Sequence, residues 1–255
     1  DLWRVDFDGS HRVRLTNTPK FDESRPQWSP DGKSIAFLSD RGGEEADTQV
    51  WLMPANGGEA RRLTKFGESI SDFAWSPDGK RIAFIGRDPE RPFGAKKPKQ
   101  PPPIVTERYQ FREDGTGYLD SRRNHVYVFD IATGKTDLLT PGAHDEQLLT
   151  WSPDGKLLAY VTKRGVDPDR HLNYDIYVVE PKAGAKERQL TTFPGSDLDP
   201  YWETRPAFSP DSTQIAYLRS GEDKWIYYTP WQLAIVDVAS GKERIPADID
   251  RCFTK

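Results

Sequence analysis

The sequence predicts an all-β fold of repeated four-stranded antiparallel sheets, and three observations carry that prediction. A ten-residue unit recurs as WSPDGKSIAF at 28–37, WSPDGKRIAF at 75–84 and WSPDGKLLAY at 151–160, with a looser copy, FSPDSTQIAY, at 208–217. A second pattern alternates with it: LWRVDFDGSHRVRLT (2–16), VWLMPANGGEARRLT (50–64), VYVFDIATGKTDLLT (126–140), IYVVEPKAGAKERQLT (176–191) and LAIVDVASGKERI (233–245). The chain of 255 residues also holds 20 Gly and 21 Pro with only 35% hydrophobic residues, a turn-dense composition suited to many short elements.

Each ten-residue unit spells a hairpin. An apolar run ends in Trp or Phe, Ser-Pro-Asp-Gly makes a tight turn, and Ile-Ala-Phe or its equivalent opens the return strand. Pro presets φ, Asp bonds its own backbone, and Gly accepts φ > 0. In the fourth copy Ser212 replaces Gly, so a strain of about 1 kcal/mol or less is expected there. The second pattern is an apolar strand, a Gly-bearing turn and a return strand. Together the two hairpins give four strands, A-B and C-D, and that unit repeated along a chain marks a β-propeller.

Spacing locates the variable parts. The repeated aromatic falls at 28, 75, 151 and 208, while the A-B hairpin keeps a constant length in every unit. All surplus length therefore lies in B-C and D-A connections, which in an alternating four-stranded blade share one face of the disc. Recognition is expected on that face, because loops on a rigid scaffold carry function. Residue 1 enters in mid-blade, and the Trp of the next blade is expected just past Lys255. The reading is one propeller domain over 1–255, with four full blades and partial blades at both ends, a piece of a larger propeller. The alternative is a final strand that joins the first hairpin to close a small ring.

Bulk properties narrow the classes of function. With 36 Lys+Arg against 40 Asp+Glu the formal net charge is −4, which gives no electrostatic reason to expect nucleic acid or an anionic membrane as partner. A chain of this length can bury roughly 70–75% of its unfolded surface without disulfide staples, and Cys252 has no partner. No apolar run approaches a membrane span and no leader opens the chain. The expectation is a soluble chain, with the cytoplasm the favoured compartment.

The longest insertion is expected over 86–124, in the third blade when the opening hairpin counts as the first. It carries the solvated arm KKPKQPPP (96–103) and then ERYQFREDGTGYLDSRRNHVYVFD (107–130). Here the resemblance becomes specific. The alternation of W-S-P-D-G-K and G-G-E-A-x-x-L-T hairpins resembles the propellers of Tol-type proteins and of prolyl-oligopeptidase-family serine peptidases. The stretch Arg108-x-x-Phe111-x-x-Asp114-Gly115-x-Gly117-Tyr118-Leu119, followed by Arg123-x-His125-x-Tyr127, is similar to the N-terminal propeller of the acylaminoacyl-peptidase and dipeptidyl-peptidase-5-like branch. SDRGGEEADTQVWLMPANGGEARRLT (39–64) and TRPAFSPDSTQIAYL (204–218) look like the same branch.

That resemblance implies a two-domain peptidase whose propeller covers an α/β-hydrolase domain and restricts entry to short peptides. Partners expected for the parent enzyme are short peptides and further copies of itself in a homo-oligomer. The chain has no G-x-S-x-G elbow and no alternating strand-helix pattern, and its four histidines fall in different units. No catalytic residue is therefore assigned within it, and the chemistry is placed on a hydrolase domain outside it. The alternative is a non-enzymatic Tol-like propeller that binds a protein or peptide.

Two groups are candidates for substrate binding or a domain interface. Arg108, Tyr109, Arg112, Tyr118 and Arg123 of the insertion, with Arg122, offer guanidinium forks for a peptide carboxylate or a partner domain. The alternative is that they pin the insertion to its own blade. Trp202, Trp225, Tyr227, Tyr228 and Trp231 form an aromatic set on long connections, against the alternative of inter-blade packing expected for Trp28, Trp75 and Trp151. Glu44-Glu45 is expected to be a hydrated loop pair. No cofactor is expected and no metal site: Asp167-x-Asp169 and Asp248-x-Asp250 lack the Gly and distant Glu of a calcium loop, and no His or Cys spacing suits zinc.

Overall fold

The structure is a computed structural model that describes residues 1–42, 47–90, 92–94, 100, 103–114, 117–198, 204–225 and 228–246. It opens with a two-stranded hairpin, β1 (Trp3–Arg4) and β2 (Val13–Arg14). The second blade follows as β3 (Glu23–Trp28), β4 (Ser34–Ser39), β5 (Gln49–Pro54) and β6 (Arg61–Arg62). The third is β7 (Ile70–Trp75) and β8 (Arg81–Arg87), then the small inserted hairpin β9 (Arg112–Glu113) and β10 (Gly117–Tyr118), then β11 (Asn124–Asp130) and β12 (Thr136–Leu138). The fourth is β13 (Glu146–Trp151), β14 (Leu158–Thr162), β15 (Asp175–Val179) and β16 (Arg188–Gln189). The fifth is β17 (Ala207–Phe208), β18 (Gln214–Arg219), β19 (Gln232–Asp237) and β20 (Glu243–Arg244). Every blade is an antiparallel meander in sequence order. The helical turns among the described residues are two 3-10 segments, Pro168–Arg170 and Asp223–Trp225. The fold is a β-propeller.

The A-B turns fall where the repeat puts them. In each, the Ser hydroxyl donates to the Asp carboxylate two residues on, at 2.6–2.7 Å (Ser29–Asp31, Ser76–Asp78, Ser152–Asp154, Ser209–Asp211). The same carboxylate accepts a backbone N–H from Lys33, Lys80, Lys156 or Thr213 at 3.1 Å. These bonds stabilise the charged form, and Asp154 is held down to about 2. Ser212 adopts φ 63° where the other copies use Gly, which is the strained position the sequence indicated.

The core lies between blades. The central strands β4, β8, β14 and β15 are buried almost throughout. One cluster joins the second and third blades through Leu38, Val50, Phe73 and Phe84, and another joins the third and fourth through Val126, Leu149 and Tyr160. The blade Trp residues differ from one another. Trp151 is buried and its indole N–H donates to the Ala74 carbonyl of the preceding blade at 3.2 Å. Trp28 is 53% exposed, against the expectation of inter-blade packing. Among the described residues, the two-stranded hairpin β1–β2 precedes it.

The inserted segment is shorter than its sequence bounds. Gly86 and Arg87 pair with His125 and Asn124 as strand residues, so the insertion proper is 88–123. Gly86 is needed there for space, since a Cβ would lie 2.5 Å from the Phe66 ring. The strand expected at the C-terminal end, like Glu44-Glu45, lies outside the described residues.

Candidate functional site

The long connections meet on one face. The 163–174 loop bonds the 220–231 loop where Leu172 N–H donates to Asp223 Oδ1 at 2.7 Å. That loop in turn meets the 192–206 connection through Ser220 N–H to Ser196 O and Asp223 N–H to Pro194 O. Gly195 and Gly221 make the crossing possible, because a Cβ on Gly195 would sit 2.1 Å from the Gly221 carbonyl oxygen. The A-B turns form a separate row: Gly79 lies against Pro30, Gly155 against Pro77, and Asp154 N–H donates to Ser212 Oγ.

The insertion is tied to this face by ion pairs. Arg108 grips Asp169 with two bonds, Nε to Oδ2 at 3.0 Å and Nη2 to Oδ1 at 2.8 Å, and also donates to Asp145 at 3.2 Å. Arg123 donates to Asp145 Oδ2 at 2.8 Å, while the Asn124 N–H donates to the other oxygen at 2.9 Å. Arg122 spans Glu68 and Asp120, and Asp120 also accepts from Arg87 at 2.6 Å. Thus Arg108, Arg122 and Arg123 are occupied by carboxylates of the blades and of the insertion itself, which is the pinning alternative. Asp169 holds Arg108, and that is the role of the Asp167-x-Asp169 pair's second acid. His125 is buried between Glu146 at 2.9 Å and Asp88 at 3.4 Å. Burial opposes its charge, but the bond to Glu146 and the field of Asp88 outweigh it and raise its pKa.

The remaining candidates divide by exposure. Tyr109 is exposed with the Arg170 guanidinium 4.2 Å over its ring, and Arg112 pairs with Tyr118 across β9–β10 on an exposed edge. Trp225 and Tyr228 stand on the surface with ring centroids 6.5 Å apart in an edge-to-face arrangement. Trp231 is buried, so it packs rather than presents a surface. Trp202 and Tyr227 lie outside the described residues.

Between the insertion and the third and fourth blades lies a cavity of about 510 Å³, lined by Arg108, Arg123, Asp145, Lys163, Leu172 and Tyr174 among others. The acids that organise it, Asp145 and Asp169, were not among the sequence candidates; nor was Lys163. Each stands in a D-A or B-C connection, where no repeat aligns it with a counterpart. Among the described residues no group of three or more His, Cys, Asp or Glu could hold a metal ion. No helix among them is long and apolar enough to cross a membrane.

Comparison with known proteins agrees with this architecture. The TolB beta propeller domain (PD40) model matches residues 1–99. The dipeptidyl-peptidase 5 of Porphyromonas gingivalis is 29% identical over 95% of this chain and 36% of its own length. The uncharacterized peptidase YuxL of Bacillus subtilis is 29% identical over 70% of this chain and 27% of its own. The chain therefore spans about a third or less of these relatives. Among solved structures, the uncomplexed acylaminoacyl peptidase of Pyrococcus horikoshii superposes with a TM-score of 0.65 at 21% identity, over 98% of this chain and 35% of that one. With peptidase relatives along its length, the chain is a β-propeller that resembles part of a dipeptidyl-peptidase 5 and of an uncharacterized peptidase in sequence, and part of an acylaminoacyl peptidase in fold.

Proposed function

We propose that this propeller gates and helps select substrates for a serine oligopeptidase that cleaves short peptides by acylaminoacyl or dipeptidyl release. Nucleophile, base and acid are supplied by an α/β-hydrolase domain of the same parent protein, outside these residues. The observation that carries the reading is the clamp of Arg108 and Arg123 on Asp145 and Asp169. It holds a long insertion across the loop-bearing face and leaves Tyr109, Tyr118, Trp225 and Tyr228 exposed. Rigid aromatics on an anchored loop are suited to contact a peptide or a docked domain.

The test uses the parent enzyme with Trp225→Ala and Tyr228→Ala. The ratio of kcat/KM for a dipeptide substrate to that for a longer peptide should change, while folding is retained. An unchanged ratio overturns the gating role.

A second reading is favoured by the TolB beta propeller match over 1–99: a non-enzymatic propeller that binds a protein or peptide. Labelling of the parent protein by a serine-directed fluorophosphonate separates the two. Labelling supports the peptidase, and a parent protein that takes no label supports the binding propeller.

A further inference from the structure

Five cations line the cavity under the insertion: Arg87, Arg108, Arg122, Arg123 and Lys163. The four arginines are each paired with a carboxylate. Lys163 makes no such pair among the described residues; its Nζ reaches the His171 carbonyl at 3.3 Å and lies 5.2 Å over the Tyr174 ring. An ammonium carries three donors, so this one retains bonding capacity toward the cavity. Burial lowers its pKa, while Asp169 and Asp145, beyond direct contact, work in the opposite direction. Those two acids are already shared between Arg108 and Arg123, so they support the ammonium charge without occupying it.

We propose that Lys163 anchors a carboxylate subsite that takes the free C-terminus of a short peptide in this cavity. The walls suit that ligand. Leu119, Leu172 and Tyr174 give an apolar side for the terminal residue, and the partly enclosed setting strengthens an ammonium–carboxylate bond relative to open water. Each arginine is engaged by a carboxylate of the blades or of the insertion, whereas, among the described residues, the Lys163 ammonium is not. This subsite rests on the reading of the chain as a peptidase propeller, and it adds which end of the peptide the propeller holds.

The test measures binding by calorimetry to the parent protein with its catalytic serine blocked. The probes are N-acetyl-alanyl-phenylalanine as the free acid, the same peptide as its C-terminal amide, and acetate. The acid should bind roughly tenfold more tightly than the amide, the strength of one charge-assisted bond. Lys163→Met should remove that preference and Lys163→Arg should keep part of it. Equal binding of acid and amide overturns the subsite, as does a Lys163→Met protein that retains the preference. Acetate binding as tightly as the peptide acid shows a general anion site and also overturns it. The acid–amide comparison on unaltered protein decides the matter even if Lys163→Met fails to fold. None of these failures touches the gating reading, which stands or falls on the kinetics of the Trp225 and Tyr228 variants.

Discussion

Arg205 donates to Asp72 at 2.8 Å across the blade that separates them. Asp72 lies in β7 of the third blade, Arg205 leads into β17 of the fifth, and on the way the guanidinium also bonds the Leu149 carbonyl of β13. Arg25 of the second blade approaches the same carboxylate at 3.5 Å. Arg25, Asp72, Leu148 and Arg205 hold one repeat position, three residues before the blade aromatic. Three of the four residues at this repeat position, Arg25, Asp72 and Arg205, thus tie their blades together. Arg205→Met should destabilise the propeller by about 1–3 kcal/mol in urea, less than a fully buried pair because Arg205 is partly exposed. Asp72→Asn alone and combined with Arg205→Met should show non-additivity; strictly additive losses would mean no coupling.

Thr140 ties two blades in a second way. Its hydroxyl accepts the Val126 N–H and donates to Glu146, each at 2.9 Å, and Glu146 accepts from Arg164 at 3.2 Å. Thr16, Glu23 and Arg41 repeat the arrangement at the preceding equivalent joint but one. Thr140→Val leaves a buried N–H and a buried carboxylate short of partners, at a cost of about 1–3 kcal/mol. A thermal unfolding midpoint equal to that of the unaltered protein would remove this role.

These two ties show what was legible in the sequence. The hairpins were, because turn chemistry is local: Ser29 to Asp31 and its three counterparts close within a few residues. The L-T ending of the second repeat was visible, but its purpose was not, since the partner acid belongs to the next blade. The insertion's arginines are visible in the sequence by type but not by occupancy. Whether Arg108 is free depends on Asp169, which is 61 residues away and outside any repeat. Trp28 and Trp151 look identical in sequence and differ only through what packs beside them.

Stability should fall as pH rises from about 4 toward neutrality, because of a buried acidic group at the joint of the fourth and fifth blades. Burial, aided by Glu243, pushes Asp175 up to about 7, and burial raises Asp197 well above the carboxylate range. Arg219 and Gln189 face these acids and lower them only in part. The unfolded chain releases these protons near pH 4 while the folded chain keeps them, so each group costs stability across that window, by at most about 1.4 kcal/mol per pH unit. His125, raised in the folded state, adds a loss of the same sign as pH passes its folded value. Asp175→Asn should flatten the dependence measured by urea unfolding between pH 5 and 7. An unchanged slope would show that Asp175 titrates normally.

Gly195→Ala should part the two loops that cross on the site face. The added Cβ meets a backbone carbonyl, which no side-chain rotation can relieve, so the 192–206 connection must move. A loss of about 1–3 kcal/mol is expected, as for overpacking. Exchange should rise at Ser220 and Asp223, whose N–H groups are held by that connection. Protection retained at both amides would contradict the contact.

The Arg108 clamp should govern the insertion locally and the propeller hardly at all. Its guanidinium and the Asp169 carboxylate are both largely buried, so removing one leaves the other costly to keep dry. Arg108→Met should therefore speed amide exchange at Gln110, whose N–H is held by Asp169, and at Leu119, held by the Phe111 carbonyl. Strands β8 and β11 pair along seven residues without help from the insertion and should stay protected. Asp169→Asn should give the same local pattern, and the double variant should be no worse than either single one. Loss of protection in β8 and β11 would instead make the insertion part of the propeller's cooperative core. Unchanged exchange at Gln110 would mean that Tyr109 and Tyr118 are held in place by contacts other than this pair.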